Sequence, residues 1–185
     1  METIYQKIVD TFESDKAKAV FAAMEIQEIR QIDIHMGQPD NPQEWEMFLP
    51  AMFIAWSVTP GTTESPDILT MEFHILQEPG AGTESFSDRI TEGLKYVKLL
   101  KAVKKCLNQL SADNTSPFKY AGERPAVTEF YRYHILSYNC AIDSFTETIN
   151  RPELTTSTVE AIDITGGILR THVDDPETPE IETYK

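Results

Sequence analysis

Between Phe86 and Leu110, apolar residues recur every three or four positions for about six turns, a spacing that predicts one long amphipathic helix. The apolar positions on this helix are Phe86, Ile90, Leu94, Val97, Leu100, Val103, Leu107 and Leu110. Most of the stability of a helix within a protein comes from packing of its apolar face. The rest of the chain is therefore expected to provide a sheet that this helix covers.

Four apolar segments elsewhere in the chain have the pattern of β-strands. These segments are 32–36, 49–58, 68–77 and 129–142, and a further short strand is predicted at 118–120. Ile32, Ile34 and Met36 alternate with polar residues, which predicts a half-buried strand. The unbroken apolar run 49–58 predicts a strand that is covered on both faces, with Trp56 in the core.

The N-terminal segment has the spacing of a helix. Ile4, Ile8 and Phe12 form one apolar stripe, and a second stripe follows after Ser14, so the segment is either one interrupted helix or two short ones. The order of helix, strands, long helix and strands predicts an α+β fold. We expect a mainly antiparallel sheet of about four to five strands, covered by the N-terminal helix and the long central helix.

The composition changes after Asp143. Residues 144–185 hold nine acidic residues against three basic ones, a net charge of −6. We therefore predict a core domain at 1–143 and an acidic C-terminal extension at 144–185. Two short apolar runs around Thr165-Gly166-Gly167 predict a hairpin arm at 161–173, followed by a flexible end. Because an isolated hairpin is marginally stable in water, we expect it to dock on its own sheet or on a neighbouring subunit.

The formal net charge of the chain is −14. A surface of that sign repels phosphate backbones and anionic lipids, so we expect no sequence-specific nucleic-acid partner and no membrane partner. The sequence contains no run of about 18 apolar residues, and its N-terminus lacks the pattern of a signal peptide. Cys106 on the long helix and Cys140 on the last strand lie in apolar runs, which predicts buried, reduced thiols.

Two carboxylate–imidazole pairs are candidates for chemistry. Asp33 and His35 are two positions apart on one predicted strand, and Glu72 and His74 are two apart on another, so each pair shares a face. Such pairs occur in metal sites and in acid–base catalysis, but they are more common as the polar face of a strand. The sequence also lacks a nucleophile elbow, a P-loop and a dinucleotide-binding glycine motif. It therefore predicts no catalytic residue, no cofactor and no metal.

Three groups of residues are candidates for protein interfaces. Trp45 and Phe48, in an acidic segment between the first two strands, are equally consistent with interface anchors and with side chains folded back on the sheet. The second group is apolar and lies in the predicted hairpin: Ile162, Ile164 and Ile168. The third group is basic and lies on the long helix: Lys98, Lys101 and Lys105, together with Lys95 and Lys104.

The lysine group has three possible interpretations. A row of lysines on an amphipathic helix is most often its solvated face. The same row is also suited to an acidic partner, either a protein or a nucleic acid. Since the chain itself is acidic, a further possibility is that these lysines meet the acidic tail of another copy in a ring built from head-to-tail contacts.

Several stretches of the chain resemble the tail-terminator and head-to-tail completion proteins of long-tailed bacteriophages and prophages. The stretches are IYQKIVDTF, IRQIDIHMGQP, FLPAMFIAWSV, ILTMEFHILQ, GLKYVKLLKAVKKCLNQL and TEFYRYHILSYNCAI, which together span about residues 1–143. The resemblance implies a small α+β protein that assembles in the cytoplasm of a bacterial host and becomes part of the virion. Its copies would form a ring, commonly a hexamer, that ends the tail tube and docks to head-connector proteins.

Two other functions are compatible with the residues. An acidic protein-binding adaptor would use the negative surface against a basic partner, and it would pair one-to-one with that partner rather than form a ring. A small metal-dependent enzyme would use Asp33, His35, Glu72 or His74, and the purified protein would then contain metal.

Overall fold

The computed structural model describes residues 1–62, 65–80 and 88–143, and these residues form an α+β fold, as predicted. The elements in chain order are α1 (Glu2–Glu13), α2 (Asp15–Ala23), β1 (Gln31–Ile34), β2 (Ala51–Thr59), β3 (Asp67–Gln77), α3 (Ile90–Leu107), β4 (Lys119–Ala126) and β5 (Arg132–Ile142). The predicted hairpin arm at 161–173 and the acidic extension lie outside the described residues. The division at Asp143 therefore stays a prediction.

The five strands form one mixed sheet in the order β1-β2-β3-β5-β4. The pair β1–β2 is parallel and the other three pairs are antiparallel, which agrees with the predicted mainly antiparallel sheet. β3 lies at the centre, where it pairs with β2 along nine residues and with β5 along eleven. Strands β1 and β4 are the two outermost strands.

The N-terminal segment is two helices rather than one. Ser14 has an extended backbone that breaks the helical path, and its hydroxyl oxygen accepts a hydrogen bond from the N–H of Ala17 at 3.2 Å. This contact caps α2, because it satisfies a backbone donor that has no partner within the helix. The break lets both short helices turn apolar residues toward the sheet: Ile4, Ile8 and Phe12 from α1, and Ala17 and Phe21 from α2.

The main core lies between the three helices and one face of the sheet. Alternate residues of β3 are fully buried there: Leu69, Met71, Phe73 and Ile75. Phe73 is at the centre of an aromatic group, since its ring meets Phe118 and Tyr138 edge-on at centroid distances of 6.1 and 5.7 Å. Helix α3 adds Leu99, Leu100, Ala102, Val103 and Leu107 to this core.

The prediction that the apolar stripe of the long helix packs on the sheet is wrong for the first half of the helix. The helix begins at Ile90, and the predicted start at Phe86 lies outside the described residues. Ile90, Leu94 and Val97 are exposed. Three successive steps of three residues separate Leu94 from Val103, and each step falls about 60° short of a full turn. The stripe therefore rotates by about 180°, so that Val103 packs on the sheet while Leu94 faces away from it.

The first two strands are also less buried than predicted. Strand β1 pairs with β2 only as far as Ile54, so the second half of β2 is itself an edge. Ala51 to Ile54 are fully buried, whereas Trp56, which was expected in the core, is exposed. Ile34 and Met36, the apolar positions of the strand that was expected to be half-buried, are exposed at the same end of the sheet. Burial on both faces therefore ends where the neighbouring strand ends.

Gln38 closes the turn after β1. Its side chain is buried, its Nε2 donates to the carbonyl of Ile34 at 2.7 Å, and its Oε1 accepts from the N–H of Met36 at 2.6 Å. Gly37 makes this turn possible, because its φ of 90° lies in a region that side chains with a Cβ rarely adopt. The glutamine thus supplies hydrogen bonds that a neighbouring strand supplies elsewhere in the sheet.

We predict that Gln38→Ala lowers the free energy of unfolding by about 1–3 kcal/mol, since two backbone groups in a partly buried turn lose their partners. Urea denaturation followed by circular dichroism measures this change. Gln43→Ala is the matched control, because Gln43 is an exposed glutamine of the same connection, and it is expected to stay within about 0.5 kcal/mol of the wild type. Equal effects of the two substitutions would contradict the role given to Gln38.

Candidate functional site

The structure brings three of the four predicted carboxylate and imidazole residues together. His35 follows β1 and His74 lies on β3, and their rings stack at a centroid distance of 4.1 Å on the sheet face opposite the helices. The Glu72 carboxylate lies 4.0 Å from Nε2 of His74. Asp33 is separate from this group, because it is exposed and its carboxylate accepts a hydrogen bond from the N–H of Ile34.

Burial keeps His74 uncharged. Loss of water contact, the adjacent His35 ring and the Arg124 guanidinium together lower the pKa of His74 from 6.5 to about 4. Nδ1 of His74 lies 2.5 Å from the hydroxyl of Tyr133, whose pKa burial raises to about 12. Both groups are therefore neutral near pH 7, and the pair is a hydrogen bond between neutral partners rather than an ion pair.

The histidine pair is poorly arranged to bind a metal ion. An imidazole binds a cation along the direction of its nitrogen lone pair, which lies in the ring plane. The rings of His35 and His74 are stacked at an interplanar angle of 27°, so their lone pairs do not converge on one point. Among residues 1–62, 65–80 and 88–143, no group of three or more His, Cys, Asp or Glu side chains has an arrangement that could hold a metal.

The two cysteine thiols are weak nucleophiles. Cys140 is buried on β5, and burial raises the pKa of its thiol to about 11. Cys106 on α3 is partly buried, and loss of water contact also raises its pKa, against the opposing effect of Lys105. Both cysteines are free, and both lie on the elements predicted for them. A thiol with a raised pKa is protonated near pH 7, which suits packing rather than catalysis.

The segment that contains Trp45 folds against the sheet with only part of its apolar surface. Met47 and Leu49 pack on a second, smaller core on the face opposite the helices, formed by Ala51, Phe53, Leu76, Tyr133 and Ile135. Trp45 and Phe48 point outward, with exposed fractions of 38% and 46%. The N–H of Phe48 donates to Oε1 of Gln31 at 2.9 Å, which fixes this segment beside β1. The aromatic pair is thus held in place and accessible.

The five lysines of α3 divide into two groups. Lys95 is paired with Glu92 of the same helix at 2.8 Å, and Lys104 is paired with Glu123 of β4 at 2.9 Å. The other three form no ion pair with any of the described residues: Lys98, Lys101 and Lys105. The side chains of these three are at least partly exposed, so they are available to a partner.

An exposed apolar row lies next to these three lysines and was missed at the level of sequence. Ile90, Leu94 and Val97 are four and three residues apart, so they form one stripe on the outer surface of α3. The sequence did contain a signal for this exposure. The apolar positions of α3 follow one another in steps of three residues, and such steps move the apolar stripe around the helix. We call Ile90, Leu94, Val97 and the lysines at 98, 101 and 105 the helix patch.

Comparisons with known protein families, with characterised proteins and with solved structures found no match to the chain. No helix among the described residues is both long enough and apolar enough to cross a membrane. The candidate interface residues Ile162, Ile164 and Ile168 lie outside the described residues.

We predict that His74 makes the fold less stable in acid. Its pKa is about 4 in the folded chain and about 6.5 in the unfolded one, so the unfolded chain binds more protons between these values. The contribution of His74 to the free energy of unfolding is complete above pH 6.5 and is lost as the pH falls toward 4. Between pH 7.5 and pH 5, the free energy of unfolding is expected to fall by about 2 kcal/mol because of His74.

Urea denaturation of the wild type and of His74→Phe across this pH range measures the contribution. The charged or titratable groups that face His74 are His35 after β1, Glu72 on β3, Arg124 on β4 and Tyr133 on β5. All of them remain in the variant, so its shallower pH dependence reports His74 alone. Tyr133→Phe, which keeps the buried histidine, is expected to retain the wild-type pH dependence. An unchanged pH dependence in His74→Phe would refute the assignment.

Proposed function

We propose that the chain is a structural virion-assembly protein of a phage or prophage, whose copies form a ring that ends the tail tube or joins head to tail. Its resemblance to tail-terminator and head-to-tail completion proteins supports this function. The observation that carries it is the set of large apolar side chains that are exposed among the described residues: Ile34, Met36, Trp45, Phe48, Trp56, Val58, Ile68, Ile90, Leu94, Val97, Tyr120, Val127 and Phe130. Exposed apolar side chains that cluster on a surface mark sites of association.

The positions of these side chains favour assembly over random exposure. Ile34 and Trp56 lie on neighbouring strands at one end of the sheet. Both are on the face that carries the helices, at an end that the helices do not cover. The helix patch and the Trp45 segment add two further apolar surfaces on other sides of the chain. A subunit of a ring needs at least two contact surfaces, one for each neighbour.

The two outermost strands favour contacts through side chains rather than through strand addition. The edge strand β1 has four residues, and the edge strand β4 contains Pro125 and three charged residues, Lys119, Glu123 and Arg124. Short strands, prolines and charges at an edge oppose its pairing with another chain. The part of β2 that β1 leaves unpaired, residues 55–59, has neither proline nor charge, so strand addition is opposed at β1 and β4 but not there.

The charge of the chain also fits the proposal. A net charge of −14 gives a surface that does not retain DNA, so DNA could pass through an acidic ring without binding to its wall. The partners in this function are other copies of the chain, tail-tube proteins and head-connector proteins. The location is the virion, after assembly in the bacterial cytoplasm, and the role needs no catalytic residue.

We predict that loss of the chain leaves heads and tails unjoined. In the phage or prophage that encodes it, a stop codon at Gln43 is expected to give free heads together with unjoined tails, visible by negative-stain electron microscopy. A synonymous codon at Gln43 is the matched control, and supply of the full-length chain from a plasmid should restore joined particles. Normal virions from the stop-codon phage would exclude this function.

A further inference from the structure

Two surfaces among the described residues have properties that complement each other. The first is the helix patch on α3. The second is the loop patch, which we define as Trp45 and Phe48 with the acids Asp40, Glu44 and Glu46. Each has apolar side chains bordered by charges, the usual composition of an interface with an apolar centre and a polar rim.

The two patches have opposite charge. Helix α3 carries five lysines against one glutamate, a net charge of +4 in a chain whose total is −14. Residues 38–48 carry three acidic residues and no basic one, and the Arg30 guanidinium lies over the Phe48 ring at 5.8 Å, so the loop patch together with Arg30 has a net charge of −2. Glu44 and Glu46 form no ion pair with any of the described residues, and the same holds for the lysines of the helix patch. Both sets of charges are therefore available to a partner.

The two patches belong to different elements. Leu99, Val103 and Leu107 pack toward the sheet, so the stripe from Ile90 to Val97 faces outward from the helix layer. The loop patch is anchored elsewhere, because its neighbours Met47 and Leu49 pack on the sheet face opposite the helices. Within one molecule, no ion pair or ring contact among the described residues joins the two patches. They can meet between two copies in a head-to-tail contact, which builds rings when the rotation between copies closes.

We propose that the helix patch of one copy binds the loop patch of the next copy. Trp45 and Phe48 would cover Ile90, Leu94 and Val97, while Glu44 and Glu46 face the lysines at 98, 101 and 105. This pairing rests on the self-assembly proposed above and names the two surfaces that produce it. Opposite charges at the rim select the head-to-tail arrangement, since two helix patches or two loop patches would repel each other.

The test is charge reversal in the full-length chain, followed by light scattering over a range of protein concentrations. One variant carries Lys98→Glu and Lys101→Glu, and a second carries Glu44→Lys and Glu46→Lys. Each is expected to lower the association constant roughly tenfold or more relative to the wild type. A third variant carries all four substitutions and is expected to recover association, because the reversed patches again have opposite charge.

A matched control is Lys16→Glu with Lys18→Glu, which makes the same charge change at exposed lysines of α2. It is expected to associate like the wild type, whereas an equal loss in the control would assign the effect to overall charge and overturn the pairing. Circular dichroism of all variants confirms that they are folded.

Each remaining outcome also decides the question. If both reversed variants lose association and the four-substitution variant does not recover it, the patches bind other surfaces, such as the acidic segment 144–185 of a neighbour, and the proposed pairing is wrong. If the reversed variants keep wild-type mass, the interface lies elsewhere. A wild type that stays monomeric at all concentrations also overturns the pairing. The virion-assembly function is judged separately, by the appearance of particles from the stop-codon phage.

Discussion

Burial of β3 between two neighbouring strands and under three helices is the constraint on which the rest of the structure depends. Its alternate residues Leu69, Met71, Phe73 and Ile75 are fully buried on the helix side, and His74 and Leu76 are buried on the other side. Each helix turns apolar residues toward this surface, and the two faces of β3 belong to the two cores. The polar pair of His35 and His74 exists because β3 is covered on its second face as well.

Much of the fold follows from local pattern. The strands around 68–77 and 129–142 and the helical nature of the N-terminal segment were predictable, because strand alternation and helical spacing report burial within a single element. The sequence alone does not decide whether that segment is one helix or two. The predictions that were wrong concern burial that depends on neighbouring elements. Trp56 is exposed because β1 stops pairing at Ile54, and no pattern within β2 shows where the adjacent strand ends. The first half of α3 is exposed because its apolar stripe turns away from the sheet.

The candidate surfaces were predictable only in part, because the sequence names residues but does not show contacts between elements. Composition alone identified the lysines of α3 and the aromatic residues Trp45 and Phe48. Structure was needed to separate Lys104, which is paired with Glu123 of β4, from the lysines that remain available. The stacking of His35 on His74 joins residues 39 positions apart in the sequence and depends on the register of two pairs of strands. Such contacts carry no local signal, so sequence reasoning could name the residues without their arrangement.

The strand order has a consequence for how the chain folds during synthesis. β2 and β3 are near in sequence and can pair as soon as both have left the ribosome, whereas the other partner of β3 is β5. Contacts between these strands join residues as far apart as Asp67 and Ile142, which are separated by 75 positions. Until β5 emerges, β3 presents an open apolar edge to solvent. Because distant pairings form slowly, the nascent chain is most prone to aggregation during this interval and has most need of a chaperone.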